Sequence, residues 1–312
     1  MSSSKFIQLK KVVHQPRILL SRIIMLEVVS KMLPDVTYLK WAYYLRTGKH
    51  LDLSCPKTFN EKIQWLKLHN TSEECTRSVD KYEVRSLIAE KIGEEYLIPM
   101  LGCWDSFDDI DFTNLPKQFV LKCTHDSGSV VICRDKETFD IKAAKVKLEK
   151  AMKHNFFWTG REYPYKNVKP RIICEQLMKD NKTDDLVDYK FFCFNGEPKV
   201  LFYASERFTS KDKVAKFDFY DMDLHHMPIK SVGHDNSTIP PSVSIENFSK
   251  MKELCCILSK GYPHVRVDFY VINDKIYFGE LTFHHDGGFV QLEPDEWNIT
   301  FGEWIKLPKD NI

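Results

Sequence analysis

Apolar and polar side chains alternate most clearly between residues 262 and 289, and this alternation predicts a β-hairpin. On the first strand every second residue is apolar, as in a strand with one buried face: Val265, Val267, Phe269 and Val271. Asn273 and Asp274 mark the turn, since both residue types tolerate the left-handed backbone of a tight hairpin. We expect the returning strand over residues 276–283.

The returning strand carries an acid, Glu280, at a position where an apolar residue would be expected. If the loop comprises residues 273–275, Ile272 faces Ile276 and the same register sets Asp268 opposite Glu280. A two-residue loop would shift the pairing by one residue and part the two acids. The convergence of the acids is therefore conditional on the length of the loop.

With that register, Asp268, Glu280 and Thr282 share one wall of the sheet, because Thr282 lies two residues beyond Glu280. Two carboxylates and a hydroxyl form a hard-oxygen site suited to Mg²⁺, which completes its shell with water and phosphate oxygens. This favours a nucleoside triphosphate site. The alternative is an exposed sheet edge on which both acids are satisfied locally. Arg266 favours the first interpretation, since it shares the face of Asp268 and can neutralise a phosphoryl group in transfer.

The first 70 or so residues have helical patterns. A helix over residues 36–45 meets a stop signal at Gly48, and residues 58–61 (Thr-Phe-Asn-Glu) have the form of a capping box. Asp80 can cap a further helix that ends near Gly93. Lys81 and Arg85 lie four residues apart on that helix, and two solvated cations are their simplest interpretation.

Residues 115–134 predict a strand, a polar loop and a second strand. Lys122 ends the first strand and the loop of small residues runs from Thr124 to Ser129. Such a loop can direct its N–H groups at phosphates while the lysine meets their charge. The spaced glycines and terminal Lys-Ser/Thr of a Walker A loop are missing. An ordinary hairpin loop is the alternative, although it would need no lysine there.

Further strands are predicted at residues 171–178 and 217–223, and further helices at 141–154 and 246–260. The strand at 171–178 runs into a polar hinge, a type of segment that can read adenine through its backbone. A second hairpin is expected over residues 188–208, with Asn195-Gly196 as a type I′ turn. Lys190 and Arg207 fall near its open ends and together suit an anion.

Composition narrows the class of protein. The 45 basic and 44 acidic side chains among 312 residues give no support to a general nucleic-acid binder. Nine cysteines without a C-x-x-C pair favour a reducing cytoplasm and no structural zinc. No signal peptide or spanning helix is expected. The stretch from Ile18 to Leu33 suits an amphipathic helix, for which packing on the core is favoured over a membrane-surface anchor.

Four signals occur in one order along the chain: a D-K-x-x-x-R helix start at Asp80, Lys122 before its small-residue loop, an E-Q-L hinge at Glu175, and a final R-V-D…G-E-L-T hairpin. This order resembles the ATP-grasp superfamily, and specifically the branch associated with teichuronopeptide and other cell-surface polysaccharide biosynthesis (TupA-like). The resemblance covers most of the chain, from about Thr58 to Trp297.

The resemblance implies an α+β fold in which two lobes enclose ATP, preceded by a helical region. The implied division is a helical N-terminal region at 1–79, a linker or pre-ATP-grasp segment at 80–116, a small lobe at 117–178 and a large catalytic lobe at 179–312.

The resemblance also implies roles for individual residues, with ATP and Mg²⁺ as cofactors. Asp268 and Glu280 match the magnesium acids, and Thr282 stands where an asparagine is usual. Lys190, Arg207, Arg266 and Lys122 would face the transferred phosphoryl group or the substrate acid. The implied nucleotide contacts are Lys81, Lys122, Thr124, Ser127, Gly128, Ser129, the hinge Glu175, Gln176 and Leu177, and Asp184 or Asp185 for the ribose. His125, His284 and His285 are candidates for deprotonating an amine.

The implied activity is that of an ATP-dependent carboxylate-amine ligase working through an acyl-phosphate. Its partners would be the carboxylate of a sugar acid from a surface polysaccharide, such as a capsule or O-antigen, and an amino acid or amino alcohol. The expected location is the cytoplasm, with peripheral association at the inner face of the membrane left open. One alternative is a glycosyltransferase that uses Asp221-Met222-Asp223 as a D-x-D metal site; another is a noncatalytic binding relative, against which the intact Lys122, Asp268 and Glu280 argue.

Overall fold

The computed structural model describes residues 16–181, 187–205, 215–237 and 239–308. The predicted ribose acid Asp184, its alternative Asp185 and the predicted substrate cation Arg207 lie outside these ranges. Within them the chain has the expected α+β fold, in which antiparallel sheets are covered by helices and preceded by a helical region.

The elements of the described residues follow the predicted order closely. The α-helices are α1 (Pro16–Ile24), α2 (Glu27–Lys31), α3 (Asp35–Thr47), α4 (Phe59–His69), α5 (Glu73–Val79), α6 (Val84–Lys91), α7 (Ile141–Met152), α8 (Phe157–Gly160), α9 (Ile245–Leu258) and α10 (Glu296–Trp304). The strands are β1 (Met100–Trp104), β2 (Phe119–Cys123), β3 (Val131–Cys133), β4 (Ile172–Gln176), β5 (Asp188–Phe194), β6 (Glu197–Ser205), β7 (Lys216–Tyr220), β8 (Lys230–Ser231), β9 (His264–Ile272), β10 (Lys275–Thr282) and β11 (Leu292–Glu293).

The first sheet is antiparallel and has the strand order β1-β4-β2-β3. Its apolar face packs on α7, where Phe119, Leu121 and Cys174 share a buried cluster with Leu148. The sequence pattern did not predict β1, because none of its five residues is buried and no alternation is visible. The sheet presents the other face of β2 and β4, which carries Lys122 and Glu175.

The second sheet has the order β10-β9-β5-β6-β7, and its central strand β5 is buried along its whole length. One face packs on α9, where Leu254 joins the cluster of Phe191 and Phe269. On the other face, Phe59 of α4 lies 6.1 Å from the ring of Phe192. Helices on both sides therefore fix β5 and β9, the two strands that carry Lys190, Arg266 and Asp268.

Two of the predicted helix signals before the first sheet are confirmed, the capping box and the stop at Gly48. The helix that Asp80 was expected to cap begins only at Val84, because the Asp80 carboxylate accepts the N–H groups of Tyr82 and Glu83 in the preceding turn, and Lys81 therefore lies before the helix. The capping box at the start of α4 is complete, since Thr58 accepts from the Glu61 N–H and Glu61 accepts from the Thr58 N–H. Gly48 ends α3 in a left-handed conformation with φ of 76°. These local signals specify where the helices begin and end without help from the sheets.

A buried arginine joins the first helices to the rest of the protein. The Nε of Arg161 lies 2.7 Å from Asp35, and its Nη2 donates to the carbonyl of Leu33 at 3.1 Å. Nη1 of the same guanidinium donates to Ser30 Oγ at 2.6 Å. The junction between α2 and α3 is therefore held against the segment that contains α8.

The expectation that residues 18–33 pack on the core is met by only one side of α1. Ser21 and Ile24 are buried, whereas Leu19, Leu20 and Ile23 are exposed. No helix among the described residues is both long enough and apolar enough to cross a bilayer.

Candidate active site

Asp268 and Glu280 lie opposite each other on β9 and β10, although not through the loop length that the sequence analysis required. The loop is Asn273-Asp274 alone, because Lys275 already pairs with Ile272. The condition of a three-residue loop is therefore not met. A β-bulge between Phe278 and Glu280 supplies the extra residue and restores the pairing of the acids.

Gly279 is the extra residue that forms the bulge. A Cβ added at Gly279 would lie 3.0 Å from the carbonyl oxygen of Asp268 and 3.2 Å from the ring of Tyr270. Any side chain would therefore push the two strands apart at the point where the acids face each other. The glycine lets β10 approach β9 closely enough for both carboxylates to reach one centre.

Arg266 occupies that centre. Its Nη2 donates to Asp268 Oδ2 at 2.7 Å, to Glu280 Oε1 at 2.7 Å and to Thr282 Oγ1 at 3.0 Å. Its Nε donates to Asp268 Oδ1 at 2.7 Å, so the Asp268 pair is bidentate. Three side-chain oxygens thus converge on one cationic nitrogen, and the predicted metal residues are brought together.

Lys190 completes the charge cluster from the neighbouring strand. It pairs with Asp268 across β5 and β9, and its Nζ donates to Asp268 Oδ2 at 2.6 Å. Burial alone would raise the pKa of Asp268, but Arg266 and Lys190 outweigh it and lower that pKa to about 2. Asp268 is consequently a carboxylate at every physiological pH. Asp268 in turn raises the pKa of Arg266 against the opposing effect of burial.

Of the three histidines considered as bases, His285 is the one that is hydrogen-bonded to Arg266. Arg266 Nη1 donates to His285 Nδ1 at 2.7 Å, which places the proton of a neutral ring on Nε2. Burial and the charge of Arg266 lower the pKa of His285 well below its usual value. His284 instead lies 3.4 Å from Glu162, and His125 contacts the carbonyl groups at the end of α7.

Lys81 lies between the acid cluster and the first sheet. Its backbone N–H donates to the carbonyl of Thr124 at 3.1 Å, and its ammonium group donates to the carbonyl of Asp126. Burial lowers the pKa of Lys81; Glu280 and Asp126 act in the opposite sense, while Lys122 lowers it further. The charges of Glu280 on the second sheet and Lys122 on the first therefore both act on the Lys81 ammonium group.

The small-residue loop after β2 divides into fixed and exposed parts. Thr124 Oγ1 donates to the carbonyl of Lys169 at 3.0 Å, and Ser129 Oγ donates to the carboxylate of Asp126 at 2.5 Å. Both hydroxyls are therefore engaged within the protein. Ser127 and Gly128 are exposed at the tip, where Gly128 has φ of 102° and no atom within 4 Å of an added Cβ.

The predicted hinge residues have two different environments. Glu175 Oε2 accepts from Lys122 Nζ at 2.6 Å, and Arg85 Nη1 lies 3.5 Å from Glu175 Oε1. Glu175 thus pairs with the predicted phosphate lysine across the sheet face. Gln176 and Leu177 instead line a cavity of about 800 Å³ at the end of the sheet.

Three further residues belong to the site but were not singled out from the sequence. Asp188 Oδ1 lies 3.6 Å from Lys190 Nζ. Burial, then Asp188, raises the pKa of Tyr270, and burial, then Glu162 and Glu280, raises the pKa of Tyr165. The period-two pattern could have found Tyr270, which shares the polar side of its strand with Asp268. Tyr165 lies in a short 3₁₀ turn that carries no periodic signal.

The D-x-D sequence forms a turn after β7. Oxygen or nitrogen atoms of Asp221, Asp223 and His225 lie within 4.8 Å of one another. However, Asp221 Oδ1 accepts the backbone N–H groups of Asp223 and His225 at 2.9 and 2.8 Å. These bonds account for the Asp221 carboxylate as the acceptor that stabilises the turn.

Comparison with known families gives a match along most of the chain. A family model described as TupA-like ATPgrasp matches residues 61–306, which include both large sheets. No curated protein matches the chain.

Solved structures with a similar arrangement share little sequence with this chain. One is a D-alanine–D-alanine ligase from Bacillus anthracis complexed with ATP, with 15% identity and a TM-score of 0.40 over 74% of this chain and 60% of that chain. Another is the ATP-grasp ligase PsnB complexed with a phosphomimetic variant of its minimal precursor, Mg and ADP, with 9% identity and a TM-score of 0.40 over 80% and 61%. The chain spans less than two thirds of the length of these structures.

Asp268 should stabilise the fold in a pH-dependent manner. Because its pKa is lowered from 3.8 to about 2, the unfolded state binds more protons than the folded state between these values. The stabilisation is therefore present above about pH 4 and is lost as the pH falls toward 2, with a total of about 2 kcal/mol in unfolding free energy. Urea denaturation of wild type and Asp268→Asn at successive pH values measures this contribution.

We expect the difference in unfolding free energy between wild type and Asp268→Asn to shrink as the pH falls below about 4. Asp109→Asn removes an exposed carboxylate and serves as the matched control, which should keep the wild-type pH dependence. A difference that stays constant down to the lowest pH would contradict the ion pairing of Asp268.

Proposed function

The chain belongs to the TupA-like ATP-grasp family, and on that premise we propose that it is an ADP-forming carboxylate-amine ligase. The observation that carries the proposal is the convergence of Asp268, Glu280 and Thr282 on one cationic position, with Lys190 beside them. An enzyme that transfers a phosphoryl group needs a concentration of positive charge held by fixed acids.

The cluster fits Mg²⁺ as a cofactor. The nitrogen of Arg266 that lies among the three oxygens stands in for a metal cation, and all three are the hard ligands that Mg²⁺ prefers. Asp268, Glu280 and Thr282 would hold the ion. When bound, Mg²⁺ supplies charge that neutralises the phosphate oxygens and orients the terminal phosphoryl group.

ATP would lie between the two sheets. We assign the phosphates to Lys81 and Lys122 and to the loop from Thr124 to Ser129, whose tip residues Ser127 and Gly128 are exposed. Gln176 and Leu177 would contact the adenine, beside the cavity at the end of β4. The ribose is assigned to Asp184. On this proposal residues 117–178 form the small lobe and 179–312 the catalytic lobe, with 1–79 as a helical region and 80–116 as the linker.

The reaction would proceed in two steps. A substrate carboxylate oxygen attacks the terminal phosphorus of ATP, the bond to the bridging oxygen breaks, and ADP leaves. An amine nitrogen then attacks the carbonyl carbon of the acyl-phosphate, inorganic phosphate leaves, and the amine loses a proton. Arg266, Lys190, Lys122 and Arg207 would stabilise the phosphoryl oxygens, and alignment by fixed cations is the main protein contribution.

His285 is the best placed of the histidines to accept the amine proton. It is neutral because its pKa is lowered, and it contacts Arg266 directly. Its Nε2, however, carries the proton while Nδ1 accepts from Arg266. His285 would therefore act as a base only after Arg266 turns from Nδ1 toward the phosphoryl group.

We propose the carboxylate of a sugar acid, in a cell-surface polysaccharide or its precursor, as the first substrate and an amino acid or amino alcohol as the second. The family branch supports this assignment. The proposed location is the cytoplasm, where ATP is available, at the inner face of the membrane across which surface polysaccharides are exported.

Glu280→Gln should reduce ADP formation by about 1,000-fold or more, because it removes one negative metal ligand from the site. Half of the Glu280 side chain is exposed (49%), so the variant should remain folded. Coupled assay of ADP release measures the loss, and circular dichroism checks the fold. Glu197→Gln, an exposed change on β6, is the matched control and should keep wild-type turnover. Wild-type turnover in Glu280→Gln would remove the metal assignment.

Lys122→Ala should raise the KM for ATP by about 10-fold or more, since one phosphate contact of opposite charge is lost. Lys142→Ala removes an exposed lysine of α7 and serves as the control. Initial rates at varied ATP concentration measure both variants. An unchanged KM for ATP in Lys122→Ala would contradict the assignment of Lys122 to the phosphates.

The substrate class can be read directly from products. Incubation of the protein with ATP, Mg²⁺, uronic acids and pooled amines should give a product whose mass equals acid plus amine minus water, with one ADP released for each amide formed. Mass spectrometry detects the product. Consumption of a sugar nucleotide without ADP from ATP would favour the glycosyltransferase alternative instead.

A further inference from the structure

We propose that α1 and α2 form a docking surface for an anionic lipid bilayer. This inference adds a contact surface to the location at the inner face of the membrane proposed above, and it rests on that proposed function. Its direct support is a run of six large apolar side chains that the fold leaves uncovered. These are Leu19, Leu20, Ile23, Leu26, Val28 and Met32, which are between 44% and 79% exposed.

The exposed side chains lie on the outer side of helices whose inner side is already packed. Ser21 and Ile24 face the interior from α1, and Ser30 does so from α2. Leu19 and Ile23 are four residues apart and therefore neighbours on the surface of α1. Single exposed apolar residues are ordinary, but six within 14 consecutive positions form a surface that favours an apolar partner.

The charge of this part of the chain identifies the partner. The first 50 residues contain nine basic and two acidic side chains, whereas the remaining residues contain 36 basic and 42 acidic ones. The near-neutral total therefore conceals a basic N-terminal part and an acidic remainder. Arg17 and Arg22 of α1 are exposed, and no ion pair holds either of them within the described residues. Apolar side chains beside arginines and lysines are the composition of helices that lie on anionic membranes.

A lipid surface suits this combination better than a second copy of the chain. Self-association through α1 and α2 would bring two basic surfaces together, which is electrostatically unfavourable. Residues 1–15 add Lys5, Lys10 and Lys11 and no acid, so the sequence before α1 increases the attraction to negative headgroups.

The junction described above would fix the orientation of the docked protein. Arg161 holds Ser30, Leu33 and Asp35 through four hydrogen bonds or ion pairs, two of them to side chains. The next residue, Glu162, lies beside His284 in the loop that follows the acid cluster. A bilayer contact through α1 and α2 would therefore be connected rigidly to the catalytic sheet.

Co-sedimentation with vesicles tests the proposal without ATP or sugar substrate. Vesicles of phosphatidylcholine with about a third phosphatidylglycerol are compared with vesicles of phosphatidylcholine alone. Wild type should bind the anionic vesicles at least about 10-fold more strongly than the neutral ones, and about 0.5 M salt should weaken that binding several-fold. Equal binding to both vesicles, or none to either, would overturn the proposal.

Variants locate the contact. Leu20→Glu combined with Ile23→Glu should weaken partitioning by about 10-fold or more. Val146→Glu combined with Ile245→Glu is the matched control, because these side chains are 68% and 83% exposed on other helices, and it should bind like wild type. Arg22→Glu, a single surface change, should weaken binding to the anionic vesicles by about threefold or more and covers the case in which the double variant fails to fold.

Two further results would overturn the proposal. If sedimentation velocity without lipid shows a dimer that Leu20→Glu with Ile23→Glu dissociates, the surface is a contact between copies. If the double variant and Arg22→Glu both retain full vesicle binding, the contact lies elsewhere on the chain. Glu280→Gln should bind vesicles like wild type, so loss of ligase activity and loss of membrane binding are separate outcomes.

Discussion

The bidentate salt bridge between Arg266 and Asp268 is the interaction on which the rest of the site depends. Asp268 is almost completely buried, and an unpaired carboxylate at that depth would be costly. Two cations from different strands, Arg266 and Lys190, compensate it. The arrangement leaves Glu280 and Thr282 attached to the outer side of the guanidinium, partly open to solvent.

The same pairing principle extends across both sheets. Lys122 forms a salt bridge with Glu175. Lys81 donates a hydrogen bond to the carbonyl of Asp126, and the negative charge of Glu280 opposes the lowering of its pKa by burial. Among the described residues, Lys122, Lys190, Arg266, Asp268 and Glu280 therefore each have a partner of opposite charge in the free protein. A metal–nucleotide complex would have to displace these partners, and its metal ion would take over part of the charge compensation of the acids.

The sequence predicted local elements better than it predicted contacts between them. The capping box of α4, the stop at Gly48 and the Asn195-Gly196 turn depend on neighbouring residues alone, and all three were visible. The strand β1 was not visible, because it is stabilised by its pairing with β4 and not by a buried face. The pairing of Glu175 with Lys122 and the contact of His285 with Arg266 join residues far apart in the chain, and no local pattern encodes them.

The register of the last hairpin shows how two local irregularities can cancel. The two-residue turn is one residue shorter than a regular ladder would need to place Glu280 opposite Asp268. The bulge at Gly279 adds one residue to β10 and so restores that pairing. Neither feature can change alone without turning Glu280 to the other face of the sheet or displacing it from Asp268. An insertion in the turn should therefore occur together with a deletion at the glycine. A homologue with a three-residue turn is expected to pair β9 with β10 without a bulge.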